Sequence, residues 1–185
     1  MPPTSIQSWP TVSAATSSED LAGLARQYGP LVYRAAYRLV GSHAAAQDLQ
    51  QDLFLLLLQR PPPTVRSWPA FLTAATVRLA LNHLRRQRKW RVILQFLPNR
   101  ESGNDASPEQ TFVAEQTAAQ LRSALARLKP TEAQCFALRY LHDFDIAQIA
   151  SSVGISENYV SVSLHRAIKR LEAQQLTPQS LEVQS

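Results

Sequence analysis

The sequence predicts an all-α protein made of two small helical domains, and three observations predict it. Apolar residues recur at spacings of three and four through most of the chain, and no stretch alternates with period two. Helix-opening patterns recur, with Ser, Thr or Asp followed three residues later by Gln. One polar segment, residues 98–107, interrupts the pattern near the middle with Pro, Asn, Ser and Gly. A chain of 185 residues suits one or two domains of about 100 residues each, not a large enzyme.

Residues 1–18, rich in Pro, Ser and Thr without an apolar period, read as a disordered lead. From Leu21 to Leu39 the pattern is helical, and Gly29-Pro30 is expected to break or kink it into two helices. Ser42 is a candidate N-cap for a helix running to about Gln59. The six apolar residues Leu53 to Leu58 favour last turns buried on all sides over an exposed patch for a partner helix. Pro61-Pro62-Pro63 reads as a stiff polyproline connector. Ser67 and Pro69 then open a long helix whose inner stripe is Phe71, Leu72, Ala75, Leu79 and Leu84.

Beyond residues 98–107, Ser107 with Gln110 forms a capping box, with Pro108 at the first helical position, and the helix runs to about Lys129. Thr131 with Gln134 predicts a second capping box and a helix to about Leu141; Asp145 with Gln148 predicts a third, for a short helix to about Ser152. Gly154 marks a turn, and Ser156 caps a last helix to about Gln174. The expected layout is a lead over 1–18, a first domain over 19–95, a linker over 96–107, a second domain over 108–175 and a tail over 176–185.

Charge separates the two halves. Residues 1–95 carry a net +7 and residues 96–185 a net −2, which together give the formal +5. Of the 19 basic residues 16 are Arg, whose planar fork suits phosphates and base edges, so the basic half hints at a polyanion partner. The single cysteine, Cys135, excludes an intramolecular disulfide and a Cys-based metal cluster. No apolar run reaches the length of a membrane span, and the first residues lack the pattern of a secretion signal; the expected setting is cytoplasmic, with no membrane partner.

The sharpest motif runs from Ile146 to Val160 and fits a helix-turn-helix. Such a motif needs a small residue where its helices touch (Ala150), Gly at the sharp turn (Gly154) and an apolar anchor in the second helix (Val160). At about 100° per residue, Val160, Leu164, Ala167, Ile168 and Leu171 face inward. Asn158, Val162, His165, Arg166 and Lys169 face outward, with Ser161 on the flank and Tyr159 beside them, and these are the candidate duplex contacts. A second motif is the basic end of the long helix. There Arg85, Arg86, Arg88 and Lys89 would neutralise phosphates, and Trp68 near the start and Trp90 at the end offer aromatic faces for unstacked bases. Catalytic patterns are missing: the five glycines form no phosphate loop, and the four histidines are scattered. Asp48 and Asp52, one turn apart, are too few to hold a metal, so no metal and no cofactor are expected.

Taken together these residues resemble the sigma-70 family, in its extracytoplasmic-function (ECF) group, over about residues 20–174. Ala46 to Phe54 is similar to the stretch of region 2 that docks on the clamp of RNA polymerase, which implies polymerase-contact roles for Asp48, Gln51, Asp52 and Phe54. Phe71 to Arg86 resembles the segment that melts and reads the −10 promoter element. That likeness implies roles there for Trp68, Arg78, Asn82, His83, Arg85, Arg86, Arg88 and Lys89. Ala124 to Lys129 and Ile149 to Ala167 resemble region 4, the −35-binding helix-turn-helix. The chain departs from the family at Thr76-Val77-Arg78, at Asn82, and at Ser161 and Ser163, two positions that are often basic in relatives.

The resemblance implies a non-enzymatic sigma factor. It would bind RNA polymerase core and promoter DNA, leave room for an anti-sigma factor, form no homo-oligomer and use no nucleotide hydrolysis. Two other classes stay open: a stand-alone helix-turn-helix regulator that acts without polymerase, and a nucleic-acid enzyme for which only Asp48 and Asp52 speak.

Overall fold

The computed structural model describes residues 18–62, 65–95 and 109–174, and among these every regular element is a helix. In chain order they are α1 (Ser18–Val40), α2 (His43–Gln59), α3 (Trp68–Gln95), α4 (Glu109–Leu125), α5 (Pro130–Leu141), α6 (Ile146–Val153) and α7 (Glu157–Glu172). The expected linker, the Ser107 cap, Pro63 and both chain ends outside Ser18–Gln174 lie outside the described residues.

Helix α1 runs unbroken through Pro30, so the expected break at Gly29-Pro30 does not occur. Packing overrides the local penalty. Val32, Ala35, Ala36 and Leu39 are fully or nearly fully buried just beyond the proline, which itself faces solvent. Gly29 is buried against α2, where a Cβ would come within 2.9 Å of Gln50 Nε2. The helix ends at Gly41, whose φ of 67° is cheap only without a side chain. Its N–H donates to Tyr37 O at 2.8 Å.

Ser42 caps α2 as expected, its hydroxyl accepting from Ala45 N at 3.4 Å. The apolar run in α2 is only partly interior. Leu49, Leu53 and Leu57 are buried, whereas Leu55, Leu56 and Leu58 are 53, 38 and 54% exposed. A single helix cannot bury six successive residues unless neighbours surround it, and α2 has them on one side only.

Helix α3 is the one enclosed on both sides. Residues Phe71 to Val77 are all buried, and the Thr76 hydroxyl is satisfied by donating to Leu72 O at 2.7 Å. One side of α3 packs on α1 and α2, the other on α4, α5 and α6. The two halves of the chain therefore share one continuous core. Leu39, Leu49, Val77 and Leu81 belong to the same apolar cluster as Leu125, Phe136, Ile149 and Leu171. A smaller cluster around Leu53, Phe71 and Leu72 fills the space between α2 and the start of α3.

The three capping boxes fare differently. Asp145 and Gln148 form theirs in full: the Asp145 carboxylate accepts from Gln148 N at 2.7 Å and Asp145 N donates to Gln148 Oε1 at 3.0 Å. The box at Thr131 does not form, because α5 starts two residues earlier, with Lys129 at the cap position and Pro130 in the first turn. Gln134 instead reaches across to α3, donating from Nε2 to Ala74 O at 3.3 Å. The third box, at Ser107, lies outside the described residues.

Candidate nucleic-acid and partner interfaces

The pair α6–α7 has the geometry of a helix-turn-helix. Gly154 closes α6 in the left-handed region (φ 76°, ψ 39°), and its N–H and that of Ile155 both reach Ala150 O, at 2.9 and 3.1 Å. Ala150 is small and buried where the helices cross, and Val160 is fully buried as the anchor of α7. Ser156 caps α7, accepting from Tyr159 N at 3.2 Å. An ion pair from Arg170 to the buried carboxylate of Glu132 fixes α7 on α5.

This frame presents one face of α7 to solvent. Asn158, Tyr159, Ser161, His165, Arg166 and Lys169 are exposed, as the angular pattern predicts, while Val162 is partly buried. The Ser161 hydroxyl donates back to Glu157 O at 3.0 Å, which occupies its hydrogen. Ser163 is 3% exposed, on the inner side of α7. A long basic side chain there would enter the core, so the small residue is required by packing.

On α2, Asp48, Gln51 and Asp52 are exposed and Phe54 is partly buried against the smaller apolar cluster. The exposed Leu55 and Leu58 fall within about 120° of arc with Asp48, Gln51 and Asp52. The face is thus a strip of acidic, amide and apolar groups. The favoured reading of the leucine run as core passes over Leu55 and Leu58, and the alternative of an exposed partner patch fits them, because α2 lies at the edge of the fold.

The basic set on α3 divides between two environments. Arg86, Arg88 and Lys89 are exposed, and Trp90 is 62% exposed. His83 is partly buried and bonded to Gln87 at 2.9 Å. Burial, then the nearby Arg86, holds its pKa below the ordinary histidine value, against the opposing pull of Asp48 and Asp52. The acidic strip of α2 and the basic end of α3 are therefore neighbours. Arg78 and Arg85, at i and i+7, are partly buried on the side toward the start of α5, and Asn82 between them is exposed at the rim. Trp68 is partly buried, with its edge against Phe71 at 5.9 Å and 89°, so much of its ring is already in use.

A groove of about 690 Å³ separates the loop around Val65–Ser67 from the helix-turn-helix, with Ala147, Ser151 and Gly154 on its far side. Cys135 is buried in α5, and burial pushes its thiol up to about 11, as for a core residue. Among the described residues no three metal-ligating side chains gather, and no helix is long and apolar enough to cross a membrane.

Comparison with known proteins agrees with this layout. A family model described as "Sigma-70 region 2" matches residues 24–90, and one described as "Sigma-70, region 4" matches residues 118–171. The chain belongs to the sigma-70 family, in its ECF group. It is 28% identical over 148 residues to the ECF RNA polymerase sigma factor BldN of Streptomyces coelicolor, covering 78% of this chain and 56% of that protein. It is 30% identical over 155 residues to SigE of Mycolicibacterium smegmatis, covering 80% and 58%. It thus spans just under three-fifths of the length of these two relatives. With SigL of Mycobacterium tuberculosis it is 29% identical over 178 residues, covering 92% and 96%. The solved structure of CnrH in complex with the cytosolic domain of CnrY has the same fold, with a TM-score of 0.50 at 20% identity over 91% of this chain and 92% of that one.

Proposed function

We propose that this protein is an initiation factor that binds RNA polymerase core, brings it to a class of promoters and assists opening of the −10 element. The observation that carries this reading is the presence of both sigma-70 regions in one chain, each with a polar face turned to solvent. Region 4 holds duplex −35 DNA through Asn158, Tyr159, Ser161, His165, Arg166 and Lys169, with Val162 at the margin. Region 2 docks on the polymerase through Asp48, Gln51 and Asp52, and Leu55 and Leu58 add apolar area to that contact. Phe54 supports the face from below. The separated −10 strand lies on His83, Arg86, Arg88 and Lys89, near the loop before Trp68. Asn82 stands exposed beside it, and Arg78 and Arg85 join it only when the start of α5 moves away.

Opening is driven by binding free energy, so the factor works without catalysis of its own. Joining two readers on one chain raises their combined affinity through effective concentration. The factor acts where the polymerase acts, in the cytoplasm, and forms no homo-oligomer. An anti-sigma factor, if one binds this protein, would have the exposed α2 strip to cover.

The test is transcription in vitro with purified core polymerase and a pool of genomic fragments. Start sites that depend on this protein and share two spaced elements support the proposal. Duplex binding on a palindrome with no effect on initiation would instead support a stand-alone regulator.

A further inference from the structure

A second cavity, of about 630 Å³, lies on the seam between the two halves of the molecule, between α2, α3 and the start of α5. Its volume is in the range of sites for small organic molecules. Carbon dominates its walls, with Leu53, Leu57, Phe71 and Leu81 along one side. Three arginines, Arg60, Arg78 and Arg85, line this apolar setting, and among the described residues no acidic side chain does.

Arg85 is the telling residue. Its Nη1 donates to Asn82 Oδ1 at 3.1 Å, but its Nη2 is buried and has no hydrogen-bond partner. An unpaired charged donor shut away from water is costly, and a small turn of the guanidinium toward an anion in the adjoining cavity recovers that cost. Burial also lowers the pKa of Arg78 and Arg85 from the ordinary arginine value, which marks both as partly stripped of water. The wall opposite is the first turn of α5, formed by Pro130, Thr131 and Gln134. That helix end carries no side-chain cap, so its positive dipole adds to the field.

We infer that this seam cavity binds a small amphipathic anion, an acidic head group on an apolar body, and that the bound molecule holds the two halves of the protein together. Arg85 takes the head group, and the leucine and phenylalanine side chains take the body. An aliphatic wall suits an acyl or aryl body better than the sugar of a nucleic-acid strand. The walls come from both halves, so a ligand that needs both binds only the packed arrangement and shifts the population toward it. The consequence is restraint: an occupied cavity keeps Arg78 and Arg85 away from a −10 strand. The site itself requires neither polymerase nor promoter, so it stands or falls apart from the function proposed above.

The experiment uses the full chain and monomeric sodium dodecanoate as the probe, with titration calorimetry for binding and small-angle scattering for shape. Saturable binding of one molecule is expected, with a profile that stays compact. Arg85→Met is expected to weaken binding at least tenfold. Leu56→Asp, which sets a carboxylate at the partly exposed rim without touching the core, is expected to do the same. Arg26→Met, on the exposed face of α1, is expected to bind as the parent does. Absence of saturable binding overturns the inference. Equal affinity for neutral dodecanol, or an Arg85→Met protein that binds unchanged, overturns the role of the anion. Displacement by hexathymidylate with the protein still compact assigns the cavity to a DNA strand and overturns it as a small-molecule site.

Discussion

His142 shows what one side chain adds at the seam. It closes α5, its Nε2 is buried without a hydrogen-bond partner, and Arg38 of α1 donates to the carbonyl of the adjacent Leu141. Burial, then the charge of Arg38, lowers its pKa from 6.5 to about 4, with Asp143 pulling weakly the other way. The imidazole is therefore neutral in the folded protein at neutral pH. Between pH 6.5 and about 4 the unfolded chain binds a proton that the folded one does not, so stability falls as the pH drops through this window and levels off below it. Urea unfolding of the parent and of His142→Gln across pH 4 to 7 measures this. The variant is expected to lose much of the acid-side decline, and an identical pH profile would remove His142 as its source.

Two elements carry surfaces that mutation can address without disturbing the fold. On α7, Arg166 and Lys169 are exposed and outside the core. Each phosphate contact contributes about −0.9 to the slope of log affinity against log salt. Replacing both by Ala is expected to weaken duplex binding at every sequence and to flatten that slope by about two. Fluorescence anisotropy over a salt series reads it, and an unchanged slope would mean that α7 does not lie along the backbone. On α2, Asp48 and Gln51 are exposed and point away from Leu49 and Leu53. The double change Asp48→Ala, Gln51→Ala is expected to lower capture of core polymerase at least tenfold while the helix content and unfolding midpoint stay near the parent values. Full retention of binding would move the docking face elsewhere.

At the scale of the molecule, the shared core has a consequence for reach. A packed body of this length has a radius of gyration of about 16 Å and is about 40 Å across. Elements named −35 and −10 are about 25 base pairs apart, or about 85 Å at ~3.4 Å per pair. The arrangement in which α3 is wrapped by α4, α5 and α6 is too short to hold both. The polar contacts that must part include Arg38 to Leu141 O, Gln134 to Ala74 O and the Arg122 guanidinium packed over Gly41, and the apolar core that α3 shares with α4, α5 and α6 must open with them. Dyes placed on α2 and α7 are expected to be close in the free protein and to separate by tens of ångströms on binding core polymerase. A distance that stays short in a transcribing complex would exclude the proposed joint reading of both elements.

Sequence and tertiary structure contributed different things, for a physical reason. Local chemistry acts over a few residues, and where it acts alone the sequence could be read directly. The Ser42 and Ser156 caps, the Asp145–Gln148 box, the left-handed turn at Gly154 and the inner stripe of α7 all follow from hydrogen bonds and periodicity within one or two turns. From these the sequence by itself determined the helical class, the helix-turn-helix and most of its outer face. Three features depended on partners distant in the chain and were decided only by the fold. Pro30 stays inside α1 because Val32 to Leu39 and Gly29 are held from the other side. Leu55 and Leu58 face out because α2 has an open edge, and Arg78 and Arg85 leave the basic surface because α5 packs over that side of α3. Which side of a helix is wet is set by its neighbours, and that information is written in no single segment.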